Sequence, residues 1–313
     1  MIATDAIVKY IAHQRCLGKR FVRDSAMLSA FGKSVGKIPL SDVRSDMIRL
    51  YLNREATSDE TVRRKHRALS GFFRFVVARH LLQASPMPNN MRKRGPSTYT
   101  PYIYTDSELK RLLEAAPAAA RPNSDIDPDT LRALLLLLYG AGLRRGEAMR
   151  LKVSDVDTSQ SLMHIRATKF FKTRIVPLSA SLNGVMRSFL AGRGKLVPTE
   201  THNPVFCKRN GQPLCDSIVS SAFRRVCAIA CIRRDGGSRN QPRLHDLRHT
   251  AAVHRVTAWY RQGADLNDLL PKLATYLGHK NLSGTQRYLT MTHELLAEAS
   301  RRFEVFAEGG RHD

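Results

Sequence analysis

The stretch whose reading decides the fold is LHDLRHTAA (244–252), continued by TYLGHKN (275–281) and TQRYLT (285–290). It sets His245, Arg248, His279 and Tyr288 in a tight order. His245 and Arg248 are three apart, which on a helix puts both side chains on one face, able to meet one ligand. Gly278 suits a helix C-terminus. Ser283-Gly284-Thr285-Gln286 reads as a capping box starting the next helix. Tyr288 then falls in that helix's first or second turn, whereas Tyr260 and Tyr276 lack its spacing from the Gly-His pair. Two segments upstream add a second arginine and a lysine: Arg144 in GAGLRRGEAMRL (140–151) and Lys169 in TKFFKTRIVPL (168–178).

These residue types answer the three demands of cutting a phosphodiester without a metal. Charge grows on the non-bridging oxygens, a nucleophile must be placed in line, and the departing oxygen needs a proton. Guanidinium groups meet the first, because their planar fork is always charged and pairs with phosphate. Taken singly, each residue has a plainer reading: a surface ion pair for either arginine, a buried structural ring for Tyr288. Arg144 gains weight from its setting, directly after a wholly apolar run and a Gly140/Gly142 turn. Its neighbour Arg145 leaves a two-arginine ambiguity.

The composition narrows the partner. Lysine and arginine number 51 against 27 aspartates and glutamates, a net charge of +24. So large an excess points to a polyanion, and nucleic acid is the first choice over a membrane surface or an acidic protein. No apolar run reaches the ~18 residues of a spanning helix, so no membrane partner is expected. The amino terminus does not read as a signal peptide. Five cysteines, an odd number, fit a reducing cytoplasm. Cys207, Cys215, Cys227 and Cys231 cluster without any common zinc spacing. Cys227 and Cys231, four apart, read as one apolar helix stripe, so neither a metal nor another cofactor is expected.

A boundary is legible in SPMPNNMRKRGPSTYTPYIYT (85–105), rich in proline and asparagine and without helical period. Residues 1–95 hold 19 basic and 7 acidic side chains, a net charge of 19 − 7 = +12; the remaining 218 residues carry the other +12. The first part is thus about twice as basic per residue. Thr57-Ser58-Asp59-Glu60 reads as a capping box opening a long helix. Val62, Leu69, Phe72, Phe73, Val76 and Val77 supply its apolar face, and Arg63, Arg64, Lys65, Arg67 and Arg74 its other face. That basic stripe is either a solvated face or a phosphate-facing one, and the lack of interleaved acids favours phosphate. Arg92, Lys93 and Arg94 extend the charge into the linker, which would suit a clamp around duplex DNA. In the second part, Ala133–Tyr139 reads as a buried helix. Leu162–Ala167 and Arg174–Leu178 read as a hairpin with Lys169 near its tip.

In order and spacing these residues resemble the tyrosine recombinases, the phage-integrase family, over nearly the whole chain. HRALSGFFRFV (66–76) stands where that family's core-binding domain has a typical helix. The resemblance implies a mostly α, two-domain protein. A helical core-binding, DNA-clamping domain over 1–95 and a linker over 96–104 would precede a catalytic domain over 105–313, mixed α/β but mainly α, with a small antiparallel sheet. It leaves no length for the further amino-terminal domain of some integrases. It implies Tyr288 as nucleophile, Arg144 and Arg248 on the scissile phosphate, and Lys169 as general acid with Lys172 as rival. His245 would assist proton transfer, His279 would bond the phosphate, and Glu147 would support the site from behind. The hairpin turn lacks the glycines relatives carry beside the lysine, and Arg145 replaces a usually apolar residue. The segments from His245 to Gly263 and from Gly263 to Gly278 each run about one helical turn longer than in simple relatives, which favours a transposon-borne branch.

The implied partners are double-stranded DNA and further copies of the chain, as a homotetramer on two paired sites, with sister recombinases or accessory DNA-bending proteins as additional candidates. The last segment, ELLAEASRRFEVFA (294–307), has an amphipathic pattern and would dock on a neighbouring protomer or on its own domain. A type IB topoisomerase and a catalytically silent DNA-binding relative are the rival readings.

Overall fold

The computed structural model describes the chain except residues 20, 54–58, 89–99, 122–123, 167–172, 194–202, 238–239, 280, 282, 287, 289–296, 298–299, 302–303 and 305–313. Two compact units emerge, Met1–Thr98 and Tyr99–Asp313.

In the first unit, α1 (Ala3–Cys16), α2 (Val22–Val35), α3 (Ser45–Asn53) and α4 (Asp59–Ala78) close around a common core. Aromatic rings dominate it: Tyr10, Phe31, Tyr51, Phe72 and Phe73 are all buried; the edge-on Phe31–Phe73 pair links α2 to α4, and the tilted Phe72–Phe73 pair lies within α4. The apolar face expected of α4 is the face it buries, with Val77 only half-covered. Asp59 and Glu60 lie in its first turn, where carboxylates suit the helix dipole; Thr57 and Ser58 lie outside the described residues, as do Arg92, Lys93 and Arg94. The basic stripe is narrower than expected. Arg67 and Arg74 are exposed, but Lys65 sits 4.7 Å over the Tyr51 ring and Arg64 lies 4.0 Å from Glu60.

The second unit is built on α6 (Pro128–Gly140), the apolar run foreseen as a buried helix. Asp127 caps it by accepting the Thr130 N–H, and Pro128 starts it where no backbone donor is needed. Thr130, Leu131, Ala133, Leu134, Leu135, Leu137 and Leu138 are buried along it. Around α6 pack α5 (Asp106–Ala119), α8 (Ala180–Arg193) and α10 (Asp246–Arg261), while α9 (Asp216–Ile229) covers α5. Thr105 and Glu108 form a reciprocal capping box at the start of α5. Between α6 and the sheet lies the short α7 (Arg145–Ala148).

The sheet is antiparallel with order β1–β2–β3: β1 (Val156–Asp157), β2 (Leu162–Ile165) and β3 (Arg174–Pro177). The β2–β3 pair, with Met163 opposite Val176, is the expected hairpin; β1 is an addition of two residues, too short to announce itself by alternation. After α10 come α11 (Leu266–Leu277) and α12 (Ser283–Gln286). The molecule is therefore mostly helical with a small antiparallel sheet, the class read from the sequence.

Three local readings change. Ser283 is itself helical rather than preceding the helix, because the Gly284 N–H already bonds the Asn281 carbonyl and the turn is wound before it. Cys227 is buried in α9, but Cys231 lies beyond that helix at φ +53° and is exposed, so the two do not share a stripe. Cys215 is exposed as well. Most of 294–307 lies outside the described residues; Ala297, Ser300, Arg301 and Glu304 are helical and exposed.

Candidate active site

The site is organised by the C-terminal end of α11. A helix leaves its last carbonyls without intrahelical partners and carries negative potential there. In this unit three successive carbonyls are each taken by a different guanidinium. Arg174 Nε donates to the Tyr276 carbonyl at 3.0 Å, Arg248 Nη2 to Leu277 at 2.7 Å, and Arg144 Nη2 to Gly278 at 2.6 Å. The helix stops because Gly278 turns left-handed, at φ +69°. A Cβ added there would lie 2.9 Å from Arg174 Nη1, so the glycine also admits the arginine.

Each guanidinium is fixed from a second side. Arg248, on the first turn of α10 and 2 % exposed, donates its Nη1 to the Gly142 carbonyl at 2.6 Å. Gly142 has φ +57°, and a Cβ there would come 2.8 Å from the Leu277 side chain. This is why the chain turns on glycine after α6. The Glu147 carboxylate accepts Arg144 Nη1 at 2.7 Å and the Arg144 backbone N–H at 3.1 Å. It also accepts Arg174 Nη1 and Nη2, at 3.1 and 2.8 Å. Burial alone would raise the Glu147 pKa, but the bonds from Arg174 and Arg144 outweigh it and hold the carboxyl down at about 2. Arg248 is lowered to about 10 by burial and by Arg144, and stays charged at neutral pH. Arg145, the alternative to Arg144, turns to α9 instead, donating to Asp216 at 2.9 Å and Ser220 at 3.2 Å.

The histidines and the tyrosine line the other side. His245 stands at the N-terminal boundary of α10. It is exposed, yet the surrounding protein, together with Arg248, Arg144 and Arg145, lowers its pKa to about 4. His279 is half-buried and hydrogen-bonded through Nδ1 to Thr285 Oγ1 at 2.7 Å. Burial, then Arg248 and Arg144, bring its pKa to about 4 as well, so both rings are neutral at pH 7. Tyr288 is 1 % exposed and packs with Ala252, Val253, Val256 and Leu277 of α10 and α11. Its hydroxyl is hydrogen-bonded to His249 Nδ1 at 3.2 Å, and its ring lies 6.0 Å from that of His279.

Arg144, His245, Arg248, His279 and Tyr288 are therefore gathered from α6–α7, α10 and the α11–α12 segment. Lys169 and Lys172 lie outside the described residues. The sequence reading missed His249 and Arg174. A signal existed for the first, since His249 is four residues after His245 and shares its helix face. Arg174 registered only as the start of a strand. Among the described residues no three His, Cys, Asp or Glu side chains gather as a metal site, and no helix is long and apolar enough to cross a membrane. A cavity of about 630 Å³ between α6 and α8, lined by Arg193, Asp127 and Lys208 among others, borders none of the gathered residues.

A mostly helical unit that packs a tyrosine beside two histidines and converging arginines has the makings of a DNA breakage-and-rejoining protein. The chain belongs to the phage integrase family, whose profile matches residues 103–294. It is 31 % identical over 310 residues to the protein y4rE of Sinorhizobium fredii, whose name places it among integrases and recombinases, covering 98 % of this chain and 96 % of that one. It is 26 % identical over 320 residues to the tyrosine recombinase XerC of Oceanobacillus iheyensis, covering 98 % and 97 % of the two chains. Among solved structures, the Tn1549 transposon integrase in complex with transposon right end DNA shares the fold, with a TM-score of 0.69 at 17 % identity, over 98 % of this chain and all of that one.

Proposed function

We propose that this chain is a site-specific DNA recombinase that cuts and rejoins duplex DNA through a 3′-phosphotyrosyl intermediate, in the integration, excision or transposition of a mobile element. The observation that carries this reading is the pinning of Arg144 and Arg248 to adjacent carbonyls at the end of α11, in the same cluster as His279 and Tyr288. A guanidinium has five N–H donors, so arginines held by part of that set can still offer N–H groups to a phosphate. They need no rearrangement as charge builds on it, which is the condition for strong transition-state stabilisation.

In the proposed reaction Tyr288 Oη attacks the phosphorus and the P–O5′ bond breaks, leaving a 3′-phosphotyrosine and a 5′-hydroxyl. Arg144 and Arg248 hold the non-bridging oxygens, and His279 adds a hydrogen bond. Lys169 protonates the leaving oxygen, with Lys172 as the alternative, and His245 assists proton transfer. The phosphotyrosyl ester keeps the energy of the broken bond, so the reverse attack by a 5′-hydroxyl reseals the strand without ATP. Exchange between two duplexes calls for several copies, and a homotetramer on two paired sites is the assembly we propose. Residues 1–95 would clamp the duplex, residues 96–104 would link, and residues 105–313 would carry the chemistry, in a protein of the cytoplasm.

The test is a nicked suicide duplex spanning the gene's genomic flanks, denatured in SDS after incubation without metal or ATP. The wild-type chain is expected to give a covalent adduct and Tyr288→Phe none. Tight binding with no adduct from either would support the silent DNA-binding relative. Plasmid relaxation without partner exchange would support the type IB topoisomerase.

A further inference from the structure

We infer that His249 is the group that takes the proton from Tyr288 as its hydroxyl attacks phosphorus. This rests on the reading of Tyr288 as nucleophile and names a residue in the reaction that the sequence reading left without a role.

The geometry is direct. His249 Nδ1 lies 3.2 Å from Tyr288 Oη, and the two rings are 5.7 Å apart at a 58° tilt. His249 stands on α10 immediately after Arg248, whose guanidinium bonds the Leu277 carbonyl. The same rigid turn therefore sets both a phosphate-binding candidate and the partner of the nucleophile. Tyr288 is almost wholly buried, so bulk water is poorly placed to accept its proton. The other histidines are less suited. His279 has its Nδ1 engaged by Thr285. Around His245, desolvation by the surrounding protein and then Arg248, Arg144 and Arg145 oppose a positive charge on its ring. Its ring is 4.9 Å from that of His249, not at the hydroxyl.

In the step itself the neutral Nε2–H tautomer of His249 presents the Nδ1 lone pair. The Oη–H bond breaks as the Oη–P bond forms, and the proton passes to Nδ1. The 5′-oxygen leaves with the electron pair of the P–O bond and is protonated by the separate acid. On resealing, the imidazolium returns the proton to the departing Tyr288 oxygen. A phenol with a pKa near ~10 cannot give its proton to an imidazole of ~6.5 in advance. The transfer accompanies bond formation, where a positioned base contributes about 10²–10⁴-fold.

The experiment measures single-turnover adduct formation on the nicked duplex by wild type, Tyr288→Phe, His249→Ala and His249→Asn, with DNA affinity measured in parallel. Asparagine keeps a hydrogen-bond acceptor near the Nδ1 position but is not basic, so it separates proton transfer from positioning. Expected are a loss of about 100-fold or more in His249→Asn with DNA affinity retained, and partial recovery of His249→Ala by added imidazole. A duplex with a sulfur in the 5′-bridging position, whose leaving group needs no proton, should leave the His249 defect in place while relieving that of Lys169→Ala. A His249→Asn rate within threefold of wild type would overturn the proposal. So would a defect that follows lost DNA affinity with no response to imidazole. If wild type forms no adduct, or Tyr288→Phe forms one, the reading of Tyr288 fails instead, and the two failures are told apart.

Discussion

The arginines of α4 and those around the end of α11 are the same residue put to opposite uses. Arg67 and Arg74 are exposed on a helix whose other face fills an aromatic core, Arg74 donating its Nε to the Ser70 carbonyl of the same helix at 3.3 Å. Arg248, Arg174 and Arg144 are held by backbone carbonyls, and the last two share the buried carboxylate of Glu147. Exposed cations raise the local concentration of a polyanion, and their strength falls with salt. Pinned guanidiniums cost several carbonyls and a carboxylate to hold, but they are already in place when charge develops. The net charge advertises the first kind of arginine; the second kind is the one to which the proposed reaction assigns the phosphate.

Substitutions should separate the two kinds. The largest effect is expected at Arg248, where Arg248→Lys keeps the charge but cannot span the Gly142 and Leu277 carbonyls together. Adduct formation should fall by about 10²–10³-fold, and the chain should also lose stability because a buried acceptor is left unpaired. Parallel cleavage and denaturation assays would show both. An Arg248→Lys chain that cleaves like wild type would break the comparison.

Next is Glu147. Its carboxyl is held at about 2 in the folded chain against an ordinary 4.5, so the folded state binds fewer protons in that range. Its contribution is complete above pH 4.5 and is lost as pH falls towards 2, by on the order of 3 kcal/mol. His279 acts in a higher window. Its pKa falls from 6.5 to about 4, so its contribution is present above pH 6.5 and lost as pH falls towards 4. Denaturation midpoints between pH 7 and 2.5 should therefore decline in two stages. Glu147→Gln should flatten the lower stage, and His279→Gln should reduce the upper, which His245 shares. Glu147→Gln should also loosen Arg144 and Arg174 and slow cleavage at neutral pH.

The smallest effect belongs to the exposed set. Arg67→Ala with Arg74→Ala should leave the unfolding free energy unchanged within about 0.5 kcal/mol. DNA affinity should weaken similarly on every sequence, and the salt slope should fall by about one for each phosphate contact removed. A loss confined to one sequence would mean that these arginines read bases instead.

Much of this was legible in the chain. The run of leucines in α6 and the two β-suited runs around a basic turn at β2 and β3 announced their elements, because such patterns lie within a few residues. The order of His245, Arg248, His279 and Tyr288 announced, through its spacing, residues that the structure gathers into one cluster. What stayed hidden was set by contacts between distant segments. Arg174 reads as a strand residue until the end of α11 is brought beside it, 102 positions away in sequence. Arg145 and Arg144 are indistinguishable until α9 offers Asp216 to one and Gly278 receives the other. The narrowing of the α4 stripe depends on the Tyr51 ring of α3, which no helical period of α4 could reveal.

The most direct measurement is to digest the SDS-stable protein–DNA adduct, sequence the nucleotide-bearing peptide by mass spectrometry and label the released DNA end with polynucleotide kinase. The account predicts a nucleotide on Tyr288, joined through a 3′-phosphate, and a 5′-hydroxyl end that takes up label without prior phosphatase treatment. A nucleotide on Tyr260, Tyr276 or a serine, or a 5′-phosphate at the cut, would contradict it.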